Sequence, residues 1–338
     1  MKLAIHKSGF GYAGNPLAYP GDRPSEPYLV QGATAHRLTW DWNLAHARLE
    51  DGRSLASVLA ASGAAPLEER VVQVAFGANR DLANIAWKFT NYRNDPERDV
   101  SADLVALPAY IHDADVVACN IGYWGYVYAS LALHRPPVLV RPYLAGNRVP
   151  VTLLLLDEAQ MHATHLSEGV PRTAEDERQH ISCDVGVVDV QAFGRTLQAQ
   201  VYGIPLPCMS IDGGALPVAF ERVATDSPTD TLRRLGQHEM WAAIVRHLHD
   251  QLHPLVGDAD ADEVVDLIRA GAVSRMSGAG GSADRGQRVF ETVRQGIVDR
   301  LALIDPDGSP GTSSKHLPGL MAHEDAWRPF PLLGAQLG

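Results

Sequence analysis

The chain is short of cysteine, of lysine and of long apolar runs, and each shortage excludes something. Its three cysteines, Cys119, Cys183 and Cys208, are odd in number and lack CxxC spacing. They signal neither a disulfide framework nor a cysteine zinc site, and a reducing compartment fits them best. Nowhere do about 18 consecutive apolar residues occur, and the N-terminal MKLAIHKSGFGYAG has no apolar core of signal-peptide length. The expectation is a cytoplasmic protein with no membrane partner. Lysine occurs only as Lys2, Lys7, Lys88 and Lys315, and the formal net charge is −11. A broad basic face that could neutralise phosphates is therefore not expected, and nucleic acid is a poor partner. The preference for Arg over Lys carries no functional signal of its own.

Several signatures of chemistry are missing as well. There is no HExxH, no GxSxG elbow, and no Walker loop or dinucleotide fingerprint in a strand-to-helix setting. SGAGG (277–281) and GTSSK (311–315) resemble only fragments of anion-binding loops. His162, His165 and Glu168, spaced i, i+3, i+6, fan out around a helix instead of converging on one metal, and read as a polar helix face. His249 and His253 have i, i+4 spacing but no indicated third ligand, so they read as surface histidines. Neither a metal nor a cofactor is expected.

What is present is a globular composition, 46% hydrophobic and 20% charged, with 22 prolines and 30 glycines that favour a mixed fold over a helical bundle. Residues 1–69 read as an N-terminal extension. Its GFGYAGNPLAYPGDRPSEPY stretch has prolines too frequent for a helix and should wrap over something else, and a short helix follows over Asp51–Ala61. From residue 70 to 206 the texture is β-rich, with strands predicted at Val71–Phe76, Ala114–Cys119, Val127–Leu133, Val138–Val140, Val149–Leu156, Ile181–Val190 and Gln198–Ile204. Two helices interrupt them, Asp81–Phe89 and Asp157–Leu166, the second capped by Asp157 and ended by Gly169. So many short strands suggest a small barrel or strongly curved sheet. Residues 207–338 read as a mostly helical C-terminal region, with helices over Thr229–Leu255, Asp262–Ala270 and Gln287–Leu303.

Two stretches in the β-rich part can carry chemistry together. In VVQVAFGAN (71–79) a buried strand breaks into a loop of small residues before a helix, which exposes backbone N–H groups to a carboxylate or developing oxyanion. The bland alternative is an ordinary strand-to-helix turn. VPVTLLLLDEAQMHATHLSEGV (149–170) runs from an apolar strand through a short helix to Glu168, set directly before Gly169. A Glu at a helix end is commonly a solvated or capping residue. Glu158 and Glu175 compete with it as acids and read as solvated. In NIGYWGYVYASL, Asn120, Tyr123, Trp124, Tyr126 and Tyr128 either line a pocket or pack as an aromatic cluster.

Together the two stretches resemble the gamma-glutamylcyclotransferase-like family. FGAN followed by a helix looks like that family's Tyr-Gly-Ser-Asn loop, with Phe76 and Ala78 standing where the family has Tyr and Ser. The strand, helix and Glu168-Gly169 pair look like its later strand, helix and Glu-Gly element, and QVYGIPL (200–206) looks like its closing strand. The aromatic that follows the Glu-Gly pair in the family is absent here. The resemblance covers about residues 70–206. It implies an α+β fold built on a small mixed β-barrel of the gamma-glutamylcyclotransferase-like type, with an irregular N-terminal and a helical C-terminal extension. It also implies a transferase or lyase reaction in small-molecule metabolism, in which a gamma-glutamyl amine or related amide cyclises to 5-oxoproline. Glu168 would be the general acid/base, and Phe76, Gly77, Ala78 and Asn79 would bind the substrate, with Tyr123 and Tyr126 joining them if the aromatic stretch lines the pocket.

Two other readings stay open. One is a non-catalytic small-molecule binding module on the same fold. In the other, the C-terminal helices are the functional part, as an interaction surface through which copies of the chain associate.

Overall fold

The computed structural model describes residues 1–3, 20–92, 100–101, 103–121, 129–134, 144–172, 183–203, 208–209, 219–220, 232–267, 270, 285–286, 288–289, 292–293, 303–304 and 319–337. The fold is mixed α+β. An eight-stranded, mostly antiparallel sheet has the order β3-β2-β1-β5-β8-β4-β10-β9. Its strands are β1 (Tyr28–Gln31), β2 (Thr34–Thr39), β3 (Arg48–Leu49), β4 (Val71–Ala75), β5 (Asp103–His112), β8 (Arg148–Leu156), β9 (Asp184–Ala192) and β10 (Arg195–Gly203). A further pairing of Tyr110 on β5 with Gln191 on β9 closes five of them, β5-β8-β4-β10-β9, into a ring. The only parallel pair in the ring is β4 with β10, registered at Gln73 and Gln200. A second sheet gathers β6 (Asp115–Ile121), β7 (Ala129–His134) and four two-residue strands.

The apolar runs VVQVA and TLLLL have no alternation because both faces of their strands are covered. Val72, Val74, Val151, Leu153 and Leu155 join one large apolar cluster with helix α1 (Leu55–Ser62) and the described C-terminal helices α4 (Gln237–His247) and α5 (His249–Val256). The alternate residues Val71, Ala75, Leu154 and Leu156 join a second cluster with helices α2 (Leu82–Tyr92) and α3 (Glu158–Glu168). On this second face the pattern also holds polar side chains. Gln73, Thr152, Gln200 and Tyr202 have the parity of the second cluster, and all are buried. One face of the ring is thus uniformly apolar, and the other, beneath α2 and α3, is set with hydrogen-bonding groups.

Several sequence expectations differ from this arrangement. The N-terminal 1–69 was expected to be irregular apart from one helix, yet it supplies β1–β3 to the main sheet. A tight hairpin makes this possible: Gly32 takes φ 55°, which joins β1 to β2. β5 was not predicted because Pro108 sits inside it. It is accommodated because β1 pairs only as far as Ala106, leaving Pro108 opposite Thr152 on β8 alone. The predicted Thr229–Leu255 helix breaks at Leu248 into α4 and α5. Strand Val138–Val140 lies outside the described residues, as does most of Gln287–Leu303; residues 261–267 are helical.

Helix α3 matters most for the site, and local chemistry defines both its ends. Asp157 Oδ1 accepts from the Gln160 N–H at 2.7 Å while Gln160 Oε1 accepts from the Asp157 N–H at 3.0 Å, a complete capping box. Gln160 Nε2 also reaches the carbonyls of Ser101 and Asp103, which docks the helix start on β5. At the other end Gly169 takes φ 69°, and its N–H and that of Val170 close onto the last turn. This left-handed position is one that glycine adopts without the cost a side chain would bring. It stops the helix so that Glu168 is its final residue.

Candidate functional site

The loop after β4 is a single turn of 3-10 helix, Ala78–Arg80, that hands the chain on to α2. Thr152 Oγ1 donates to the Arg80 carbonyl at 3.0 Å, so the loop is bolted to β8. Asp81 Oδ1 then accepts from the N–H groups of Ala83 and Asn84, starting α2. Of the segment expected to wrap over something, residues 9–19 lie outside the described residues; at its described end the Asp22 N–H donates to Asp81 Oδ2, and a Cβ on Gly21 would fall 2.6 Å from the same oxygen. Phe76 is buried in the larger apolar cluster, with Ala78 packed against it. Asn79 is buried and turns towards α3.

Here the two stretches meet. Asn79 Nδ2 donates to Glu168 Oε1 at 2.9 Å across 89 residues of sequence. Lys88, one and a half turns into α2, donates from Nζ to the same Oε1 at 2.5 Å and to Asn79 Oδ1 at 2.7 Å. The three side chains form a closed triangle from three elements. Lys88 is almost wholly buried, whereas 28% of the Glu168 side chain remains open to solvent.

Burial of Glu168 works against its charge, but the Lys88 ammonium and the hydrogen bonds from Lys88, Asn79 and Ser167 outweigh it, holding the carboxyl below the ordinary glutamate range. The carboxylate is therefore ionised at neutral pH. A carboxylate at a helix C-terminus also faces the negative end of the helix dipole, a second cost that Lys88 offsets.

No family model matches the chain, and no curated protein or solved structure does.

Behind Glu168, one turn back along α3, lies a second network. His165 is fully buried, in contrast to the polar helix face expected for it. Its Nε2–H donates to the Ala326 carbonyl at 2.8 Å, so its Nδ1 must accept, and the Tyr202 hydroxyl lies 2.7 Å away to donate to it. Gln73 Nε2 donates in turn to the Tyr202 oxygen at 2.8 Å. Burial pushes the His165 pKa down to about 4 and lifts the Tyr202 hydroxyl and the Cys183 thiol well above their ordinary ranges. Neither is an available nucleophile at neutral pH.

His165 gives a prediction for stability. It is neutral in the fold down to about pH 4 but takes up a proton near its ordinary value of 6.5 once unfolded. Stability is thus fully present above about pH 6.5 and is lost as pH falls from there towards 4, by on the order of 3 kcal/mol. Urea unfolding at pH 7 and pH 4.5 should show this loss in the wild type and less of it in His165→Gln. An equal loss in both would rule out His165 as its source.

The structure treats the other expected site residues unequally. It brings Asn79 and Glu168 into contact and sets Gly77 and Ala78 in the turn beside them. Tyr123 and Tyr126 lie outside the described residues, as do Trp124, Tyr128 and Glu175. Glu158 is exposed in the first turn of α3. His249 and His253 are exposed, with rings 5.8 Å apart. Among the described residues no group of three or more His, Cys, Asp and Glu could hold a metal ion, and no helix is long and apolar enough to cross a membrane.

An open cleft of about 390 Å³, lined by His162, Arg172, Glu324 and Trp327, does not include the triangle. We place the site by the triangle, because there a buried lysine and a carboxylate still partly open to solvent meet the loop after β4. Lys88 is the residue that sequence reasoning passed over. Its signal was a single charged residue in the mostly apolar helix segment LANIAWKF, directly after the loop.

Proposed function

We propose that the chain is a gamma-glutamylcyclotransferase-like enzyme in which Glu168 is the general acid/base acting on a gamma-glutamyl amine or a related amide. The observation that carries this reading is the hydrogen bond from Asn79, in the loop after β4, to Glu168 at the end of α3. The closed five-stranded ring supports the small mixed β-barrel of that type.

The chemistry needs one mobile proton carrier. The substrate's α-ammonium gives a proton to the Glu168 carboxylate, and the freed nitrogen attacks the side-chain carbonyl carbon to close a five-membered ring. The bond to the departing nitrogen then breaks as that nitrogen is protonated. Of the three ammonium protons, one stays on the lactam nitrogen and two finish on the released amine, RNH3+. Because the attack is intramolecular, holding a folded substrate conformer supplies much of the advantage. The backbone N–H groups around Gly77, Ala78 and Asn79 would hold the substrate carboxylate or stabilise the developing oxyanion.

The test is to incubate the protein with a panel of gamma-glutamyl amines and to measure 5-oxoproline by mass spectrometry, with Glu168→Gln as the control. Absence of 5-oxoproline across the panel would overturn the reading.

A second reading draws on a specific feature. Glu168 is already neutralised by Lys88, as it would be in a binding module that performs no proton transfer. Such a module would be stabilised in a thermal-shift screen by amino acids or dipeptides that it does not turn over.

A further inference from the structure

Glu168 as acid/base leaves one group of the triangle without a role. Lys88 comes from α2, outside both stretches that carry the resemblance, yet it touches both other members of the site. We propose that Lys88 is a positioning residue for Glu168: its ammonium, seated against Asn79, fixes one carboxylate oxygen and supplies the positive charge that sets the pH at which Glu168 can act. This rests on the reading of Glu168 given above.

Three observations carry it. The first is geometric. Lys88 and Asn79 both donate to the same carboxylate oxygen, Oε1, and Lys88 also donates to Asn79, so the ammonium fixes that oxygen from two sides. The second is energetic. An ion pair buried to this extent is a poor source of stability, since an apolar residue of similar size in place of both partners is commonly neutral or better. The apolar arc of α2, with Leu82, Ile85, Ala86 and Phe89 buried, would readily take a Met at position 88. The third is the setting of the acid. Burial and the helix C-terminus both disfavour a carboxylate at Glu168.

The other titratable groups around Glu168 cannot supply the missing charge. His165 on its own helix is neutral above about pH 4, while Tyr202 on β10 and Cys183 ahead of β9 are held protonated. Lys88 alone among these groups offers a positive charge.

The experiment uses the full chain labelled with 13C at the glutamate carboxyl. The Glu168 resonance is assigned by its disappearance in Glu168→Gln and followed by NMR through an acid titration. In the wild type its midpoint should lie below the ordinary glutamate range. In Lys88→Met it should move up past that range, and in Lys88→Arg it should stay low. Lys88→Gln, which keeps a donor but drops the charge, serves if Lys88→Met does not fold, and should move the midpoint in the same direction.

If the protein turns over a gamma-glutamyl amine, the acid limb of its kcat profile should shift with the midpoint, with kcat falling more than KM rises. An unmoved Glu168 midpoint in the folded Met or Gln variant would overturn the role of Lys88 whatever the activity. Absence of 5-oxoproline with a shifted midpoint would instead overturn the cyclotransferase reading and leave Lys88's control of the carboxylate standing.

Discussion

Glu168→Gln is expected to lower the turnover of a gamma-glutamyl amine by about 10²–10⁴-fold, the range that a positioned general acid/base contributes. The substitution is close to isosteric, and the new amide oxygen can still accept from Lys88 and Asn79, so the triangle keeps its shape. What it removes is the capacity to take a proton from the α-ammonium and return one to the departing nitrogen. The loss should fall on kcat with little change in KM, because both protonic steps belong to the transition state. Circular dichroism and thermal unfolding must show that the variant is folded. Residual activity within about tenfold of the wild type would contradict the general acid/base role, because the expected contribution is larger.

Arg70→Ala is expected to cost on the order of 3–5 kcal/mol of stability, from a cavity and from buried carbonyls left without donors. Arg70 is fully buried where the chain enters β4. Its Nε donates to the Ala65 carbonyl, and its Nη1 to the carbonyls of Asp103 on β5 and Leu155 on β8, each at 3.0 Å. One side chain therefore holds together two neighbouring strands of the ring and the turn that leads into a third. Its charge also draws on the buried carboxylates of Asp103 and Asp157. Arg70→Lys should recover only part of the loss, since a single ammonium cannot reproduce the fork that reaches these carbonyls. Urea unfolding of the three proteins measures it. A loss in Arg70→Ala below about 1 kcal/mol would show that the cluster relaxes around the gap.

What could be read from the sequence was whatever rests on local pattern. The continuous apolar runs of β4 and β8, and the Asp157 and Gly169 signals at the ends of α3, are short-range features, and the structure reproduces them. β5 escaped because Pro108 argues against a strand unless the partner of each N–H is known. β1 and β2 escaped because the prolines before them masked a hairpin that depends on Gly32.

The site followed the same division. Asn79 and Glu168 could be singled out from their own neighbourhoods. That His165 is buried and neutral depends on Tyr202 and Ala326, and nothing near position 165 announces either. Lys88 was visible as an isolated cation, but its meaning comes from a carboxylate 80 residues further along the chain.

The segment that returns over the ring last of all has its own consequence. The His165 donor reaches an acceptor 161 residues later, at Ala326. The N–H of Val72 and the carbonyl of Arg70, at the start of β4, pair with Pro331 and Leu333, and Gln198 on β10 pairs with Gln336. A polypeptide emerging from the ribosome has β4, α3 and β10 in hand long before these partners exist. Until they are translated, His165 lacks its acceptor and the β4 backbone at residues 70–72 lacks these bonds. Pairings of such long sequence separation form slowly and leave surface exposed meanwhile. Assembly of the Glu168 neighbourhood therefore waits for the arrival of residues 326–336.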